Sequence, residues 1–169
     1  MPRSKDPIRR TVAGTRVEMT QVVLPQFTNP LGNVFGGQIM AWVDICAAVA
    51  AQRHCRSQVV TASIDAIHFI APIKQGYVVI LRGQVNAAFH TSVECGVTVV
   101  AEDPVTGEVH KAAKAYATFV SLDEQGCPRP VPPLLLETDE DKRRAREAER
   151  RRAQRLEMRR LADEEAHRS

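Results

Sequence analysis

The side chain in this sequence with the clearest chemical potential is Asp44, an acidic residue inside an apolar run. It is the only charged residue between Gln38 and Gln52. A carboxylate in such surroundings is costly unless it is paired, hydrogen-bonded or protonated. Two interpretations fit. Asp44 either bonds a neighbouring backbone group or faces a subunit interface, or it acts as a catalytic base or nucleophile.

Two further features precede Asp44 in the chain. Gly36 and Gly37 stand where the apolar run begins. If the run is a helix, its first N–H groups are free and lie at the positive end of the helix dipole. Such donors could stabilise charge on a polarised carbonyl oxygen, although two glycines also suit tight packing at a corner. Asn29 lies in the preceding loop, where it either stabilises a turn or orients water or a reacting carbonyl.

The residues around Asp44 predict a helix. The run from Gln38 to Gln52 is rich in Ala, Met and Ile and is longer than a typical strand, so it predicts a helix. Because this helix is apolar nearly all round, we expect it to be buried on all sides. It is too short to cross a bilayer.

Strand patterns surround this helix. Runs rich in strand-forming residues and bounded by turn residues predict five strands. These are Val17–Leu24, Val59–Phe69, Tyr77–Phe89, Ser92–Ala101 and Val109–Ser121. One strand, an apolar helix and four long strands require a sheet that curves about the helix. The predicted fold class is therefore α+β, with the long antiparallel sheet of a hotdog fold wrapped around a central buried helix.

The chain divides into three predicted parts. Residues 1–15 are polar and predicted to be loose, residues 16–133 form a single hotdog domain without internal repeats, and residues 134–169 form a charged extension. Prolines between Pro128 and Pro133 mark the connector. From Glu137 onward we expect a charged helix with almost no apolar face, which cannot form a core of its own.

Charge and cysteine content exclude several classes of protein. The net charge is +3, but ten Lys or Arg against three Glu between Lys142 and Arg160 give that segment +7, so the rest carries −4. The four cysteines form no Cys-x-x-Cys pair and no zinc-finger spacing with His, which indicates reduced thiols. No secretory signal and no membrane-length apolar run is visible. We therefore predict a cytoplasmic protein that does not bind a membrane.

Several separated motifs agree with one known family. They are Asn29-Pro-Leu-Gly-Asn-Val-Phe-Gly-Gly37 followed by Asp44, Val60-Thr-Ala-Ser-Ile-Asp65, Phe69…Pro72-Ile73, Val85-Asn86, Thr91-Ser92-Val93-Glu94 and Thr118-Phe119-Val120. In order and spacing they resemble the acyl-CoA thioesterase (acyl-CoA hydrolase) family of the hotdog superfamily, over roughly residues 17–133. The sequence departs from other branches at Phe89, where a glycine is common.

The resemblance implies an enzyme that hydrolyses acyl-CoA to a free carboxylic acid and CoA, without metal or cofactor. Asp44 would be the general base or nucleophile, Asn29 would position the reacting groups, and the Gly37 N–H would hold the oxyanion. Members work as dimers of hotdogs, often assembled into hexamers as trimers of dimers, with active sites between subunits. Whether Asn29 and Asp44 of one site come from one chain or two is left open.

The resemblance also maps a CoA-binding groove, onto Gly36, Ala62, Ser63, Ile64, Thr91, Ser92 and Val93. Each of these also fits an ordinary structural role. The stretch Glu149–Arg152 is similar to one whose last arginine reaches the nucleotide end of CoA, and arginine suits phosphate. A solvated helix with Glu–Arg pairs is the alternative for Arg152.

Three other functions compete with hydrolysis. Hotdog hydratases usually need a catalytic His beside the helix start, whereas His54 lies at the helix end and His68 and His90 lie in or beside strands. A non-catalytic acyl-CoA sensor would not need both Asn29 and Asp44, and a hotdog enzyme could act on another thioester carrier. The basic tail suggests nucleic acid, but it has interleaved Glu and no aromatic residues, so we predict no nucleic-acid partner.

Overall fold

One long helix and a five-stranded antiparallel sheet organise residues 10–167, the part of the chain that the computed structural model describes. The sheet order is β2-β4-β5-β6-β3, and β1 and β7 pair separately in parallel. This arrangement confirms the predicted α+β class. In chain order the elements are β1 (Arg10–Thr11), β2 (Val17–Val22), α1 (Gly36–Cys55), β3 (Gln58–Phe69), β4 (Val78–Ala88), β5 (Ser92–Glu102), β6 (Val109–Leu122), β7 (Leu134–Leu135) and α2 (Asp139–Ala166).

The concave face of the sheet packs on α1. Alternate residues of the central strands are fully buried, Val79, Leu81 and Val85 on β4 among them. Small residues let the helix approach closely: a Cβ added at Gly83 would lie 2.9 Å from the Cys46 sulfur. Since real Cβ atoms do not come so close, glycine at this position is needed for the helix to reach the sheet.

The central helix is confirmed, but in the single chain one face of α1 is open to solvent, so this chain alone does not bury the helix on all sides. Met40 and Ile45 are 42% and 53% exposed, and Val60 on the neighbouring β3 is 47% exposed. These exposed apolar residues lie on the helix and on the edge strand that contacts it. Apolar character in the sequence indicates that a face avoids water, but it does not tell which surface covers it.

Residues 10–15, predicted to be loose, are ordered instead. Arg10 and Thr11 pair with β7, and a short 3₁₀ helix follows at Ala13–Thr15. The buried Thr15 hydroxyl donates to the Val12 carbonyl at 2.7 Å and accepts from the Val85 N–H at 3.0 Å. These contacts fix the entry to β2. The remaining part of the predicted loose segment lies outside the described residues.

The C-terminal helix α2 is docked on the sheet rather than fully solvated. Thr138 and Asp141 form a capping box that defines its start. Ala145 and Ala148 are buried, and the helix contacts β4. The predicted charged helix is therefore confirmed, but small alanines and buried ion pairs replace the apolar face that it lacks. Within residues 10–167, neither helix is long and apolar enough to cross a membrane.

Candidate active site

The start of α1 presents unbonded backbone donors. Phe35 precedes the helix in extended conformation and gives no side-chain cap. Its carbonyl accepts from the Gln38 and Ile39 N–H groups at 2.9 and 3.3 Å, whereas the Gly36 and Gly37 N–H groups have no acceptor among the described residues. A Cβ at Gly37 would lie 2.5 Å from the Phe35 ring. The glycines thus allow packing and leave two donors at the positive end of the helix dipole.

Asn29 closes the loop that leads to these donors. Its Oδ1 accepts from the Leu31 and Asn33 N–H groups at 3.0 and 3.2 Å, so the predicted turn role is confirmed for this oxygen. The Nδ2 group donates to no described residue. The side chain lies at a cavity of about 370 Å³, lined by Asn29, Asn33, Val34, Gly36, Ile39, Phe69, Ile70, Ala71, Pro72 and Ile73. The structure therefore brings Asn29 and Gly36 to one apolar cavity.

Asp44 lies apart from that cavity. Its Oδ1 accepts a hydrogen bond from the Thr61 hydroxyl at 2.7 Å, and the residue is half-buried on the open face of α1. Seven residues separate it from Gly37, which is about 10 Å along a helix axis. A carbonyl held at the Gly37 N–H is therefore out of reach of the same chain's Asp44 carboxylate.

Thr61 is a site residue that our sequence interpretation missed. Thr61 belongs to the motif Val60–Asp65, which contains two hydroxyl side chains, Thr61 and Ser63. Nothing in the sequence indicates which of the two faces α1. The answer depends on the pairing of β3 with the helix surface, and β3 changes register between Thr61 and Ser63. Such shifts turn a side chain to a different direction.

A second cavity, of about 650 Å³, lies between the outer face of the sheet and α2. We call it the α2 groove. Six of the predicted CoA-binding residues line it, and they are Ala62, Ser63, Ile64, Thr91, Ser92 and Arg152. The two others do not: Gly36 lines the first cavity, and Val93 is fully buried in the core. Val93 faces inward because successive side chains of a strand point to opposite faces of the sheet.

The α2 groove is rich in arginine. Arg151, Arg152, Arg155 and Arg159 all line it, with Asp65 as the single acidic residue of the lining. The Arg152 guanidinium stacks on the Phe89 ring at 4.6 Å. Burial alone would lower the pKa of Arg151, but hydrogen bonds to the Glu94 carboxylate raise the pKa above its ordinary value.

One groove residue offers an unused hydrogen-bonding group. Thr118 is 9% exposed, and its buried hydroxyl has no partner among the described residues. A buried hydroxyl at the wall of a cavity commonly bonds water or a ligand. The sequence indicated Thr118 only as part of a family motif.

The histidines take no part in either cavity. His54 is buried, and its Nε2 lies 2.8 Å from the Pro132 carbonyl oxygen. Burial lowers the pKa of His54, which favours the neutral ring. His68 and His90 are exposed. Within residues 10–167, no three His, Cys, Asp or Glu side chains are grouped so that they could bind a metal ion.

Comparison with known proteins agrees with this architecture. The family model of the thioesterase superfamily matches residues 31–108. An uncharacterized acyl-CoA thioester hydrolase of Bacillus subtilis is 40% identical over 80% of this chain and 78% of the relative. The cytosolic acyl coenzyme A thioester hydrolase of Mus musculus is 38% identical over 84% of this chain. That relative is longer, and the match covers 38% of its length.

Solved structures give the same result. An acyl-CoA hydrolase from Staphylococcus aureus, in complex with butyryl coenzyme A, coenzyme A and coenzyme A disulfide, superposes with a TM-score of 0.84. It is 34% identical, over 94% of this chain and 96% of that one. An apo-hexameric acyl-CoA thioesterase also has a TM-score of 0.84, with 37% identity over 88% of this chain and 97% of that one.

Fold and sequence together define a hotdog thioesterase. Because a relative of similar length is 40% identical over most of both chains, the chain belongs to the acyl-CoA thioester hydrolase family. It is therefore an acyl-CoA thioesterase, as the sequence motifs predicted.

Proposed function

We propose that the enzyme hydrolyses acyl-CoA at a site built by two chains, with Asp44 from one chain and Asn29 and Gly37 from the other. The observation that carries this proposal is the open face of α1. Gly37, Met40, Ala41 and Ile45 are exposed along one stripe, and the half-buried Asp44 belongs to it. A two-fold axis passing near Met40 and Ala41 would set Asp44 opposite Gly37 of the partner subunit.

The edge of the sheet supports the same dimer. β3 is the last strand of the five, so one side of its 12 residues has no strand partner within the described chain. An open edge of this length with an exposed apolar residue, Val60, is prone to pair with another strand. Antiparallel pairing of two β3 strands would join the sheets of two chains and cover both α1 stripes. Three such dimers would form a hexamer, and one structural neighbour is named as a hexameric acyl-CoA thioesterase.

The chemistry follows from the groups that this dimer brings together. The Asp44 carboxylate takes a proton from water as the water oxygen attacks the thioester carbonyl carbon. The carbonyl oxygen becomes an oxyanion, which the Gly37 N–H stabilises at the helix start. The C–S bond then breaks, and the CoA sulfur leaves and receives the proton. Direct attack by Asp44, followed by hydrolysis of the anhydride, gives the same products. Neither route needs a metal or a cofactor.

Each remaining residue has a supporting role in this scheme. The free Nδ2 group of Asn29 positions water or the carbonyl, and the Thr61 hydroxyl holds the Asp44 carboxylate in place. CoA lies in the α2 groove, where Arg152 binds its nucleotide end. We also propose that the enzyme acts in the cytoplasm, as the name of the mouse relative indicates for that protein.

Release of free CoA thiol from short, medium and long acyl-CoA tests the proposal. We expect Asp44→Asn to lower kcat by about 10²–10⁴-fold, with unchanged CoA binding, because the base is lost and the shape is kept. Asp139→Asn, on the exposed start of α2, is the control and should turn over normally. Normal turnover by folded Asp44→Asn would remove this residue from its role. No release by wild type at any chain length, with CoA still bound, would indicate a sensor.

A further inference from the structure

A buried carboxylate holds α2 on the sheet beside the α2 groove. Glu94 on β5 is 0% exposed. It accepts from Arg151 Nε at 3.1 and 3.2 Å and from Arg151 Nη2 at 2.7 Å, and Arg155 Nη1 lies 3.4 Å from its Oε2. Arg155 also bonds Asp65 on β3, and Arg151 stacks on the Tyr116 ring at 3.6 Å. Two strands are thus tied to one turn of α2.

The four arginines of the groove divide into two pairs. Arg151 and Arg155 are neutralised by Glu94 and Asp65. Arg152 and Arg159 have no carboxylate partner among the residues that the structure describes. The groove therefore keeps two positive charges that no carboxylate of the described residues neutralises.

Helix geometry explains this division. Ala148, Arg151 and Arg155 are three and four residues apart, so they form one stripe, which faces the sheet. Arg152 and Arg159 are seven residues apart and form a neighbouring stripe, turned by about 60° around the helix axis. Whatever fixes the first stripe on the sheet also fixes the direction of the second.

We infer that Glu94, assisted by Asp65, is a positioning residue that sets α2 so that Arg152 and Arg159 bind the phosphate groups of CoA. This inference rests on the proposed function, and it goes beyond it by assigning roles to Glu94, Asp65, Arg155 and Arg159. If stability alone were at stake, an apolar contact would serve at least as well as a buried ion pair. An ion pair adds a fixed direction, since a bidentate arginine bonds in one geometry.

The inference predicts a loss of affinity for only one part of the substrate. Glu94→Gln should raise the KM for acyl-CoA at least fivefold and leave kcat within twofold, because it weakens binding away from the reacting bond. With the S-acyl pantetheine of the same acid, which has no nucleotide, KM should not change. A purely structural role for Glu94 would alter both substrates alike.

Matched variants define the test. Glu140→Gln changes a carboxylate that also pairs with two arginines of α2 but lies exposed away from the groove, and it should leave both KM values unchanged. Arg159→Gln should reproduce the selective rise. In the double variant, Arg159→Gln should raise the acyl-CoA KM by a smaller factor than it does alone, since both substitutions disturb the same contact with the CoA phosphates.

Three results would overturn the inference: no change in the acyl-CoA KM, an equal change for acyl-pantetheine, or full additivity of the two substitutions. Should Glu94→Gln fail to fold, Asp65→Asn and Arg155→Gln test the same cluster from its more exposed side. Calorimetric binding of CoA to wild type and variants needs no turnover. Inactive wild type that binds CoA more tightly than the variants would refute the proposed function but retain the inference.

Discussion

Two inactive variants should restore each other's activity if the catalytic groups come from different chains. Asp44→Ala removes the proposed base. On the other side, Asn29→Asp is the better choice, because its oxygen can still accept from the Leu31 and Asn33 N–H groups while the Nδ2 donor is lost. The loop before α1 should therefore stay in place. Each variant alone has two defective sites per dimer.

The size of the recovery follows from the geometry. In a hybrid dimer, one site combines the intact Asn29 of one chain with the intact Asp44 of the other, and the second site carries both defects. Random reassortment makes about half of all dimers hybrid, so about a quarter of wild-type activity should return. Hybrids isolated through two different affinity tags should reach about half.

The assay is release of CoA thiol after co-expression, with each variant co-expressed with itself as the control. Recovery of about a quarter of wild-type activity would show that the Asp44 carboxylate and the Asn29 amide of one site come from different chains. Isolated hybrids that are no more active than either variant would refute the reasoning, and with it the conclusion that 10 Å of helix keeps Asp44 from its own chain's Gly37.

Three further outcomes are expected. Thr61→Val should lower kcat about tenfold with little change in KM, because a hydrogen bond to a charged group is lost; an unchanged kcat would exclude a role in positioning. Ile45→Asp should shift the assembly toward smaller species in sedimentation velocity, whereas Val105→Asp, on a 91% exposed turn residue, should not; equal behaviour would place the interface elsewhere. At pH 8 an alkylating reagent should label only the exposed Cys127, since burial raises the pKa of Cys46 to about 11 and also that of the other two thiols; labelling of two or more cysteines would contradict this.

The strands and the central helix could be predicted because local patterns determine them. Predicted strand ends differ from the structure by at most two residues, since alternation and turn residues define both ends. The helix begins at Gly36, two residues earlier than predicted. Glycine disfavours a helix by propensity, but here the Phe35 ring lies where a Cβ at Gly37 would be, so a local contact requires glycine at this position.

The partners of the site residues could not be predicted in this way. Asp44 was identified because a charge in an apolar run is unusual, yet its bond to Thr61 depends on the register of β3 against α1. The sequence motifs place Val93 in the groove, but the alternation of side chains along β5 directs it into the core. The docking of α2 depends on the pair Glu94–Arg151, 57 residues apart, which no local pattern indicates.

Strand β3 connects the two parts of the proposed mechanism. Its residues Ala62–Asp65 line the α2 groove, while Thr61 bonds Asp44 at the surface that a second chain would cover. Thr61 and Asp65 are four residues apart, about 13 Å along a strand, so an extended pantetheine arm could follow β3 from the groove to the interface. In the proposed dimer the α2 groove lies within one chain, whereas the catalytic groups come from two. A variant that is monomeric but folded should therefore bind CoA and yet fail to hydrolyse acyl-CoA, which separates binding from catalysis by assembly alone.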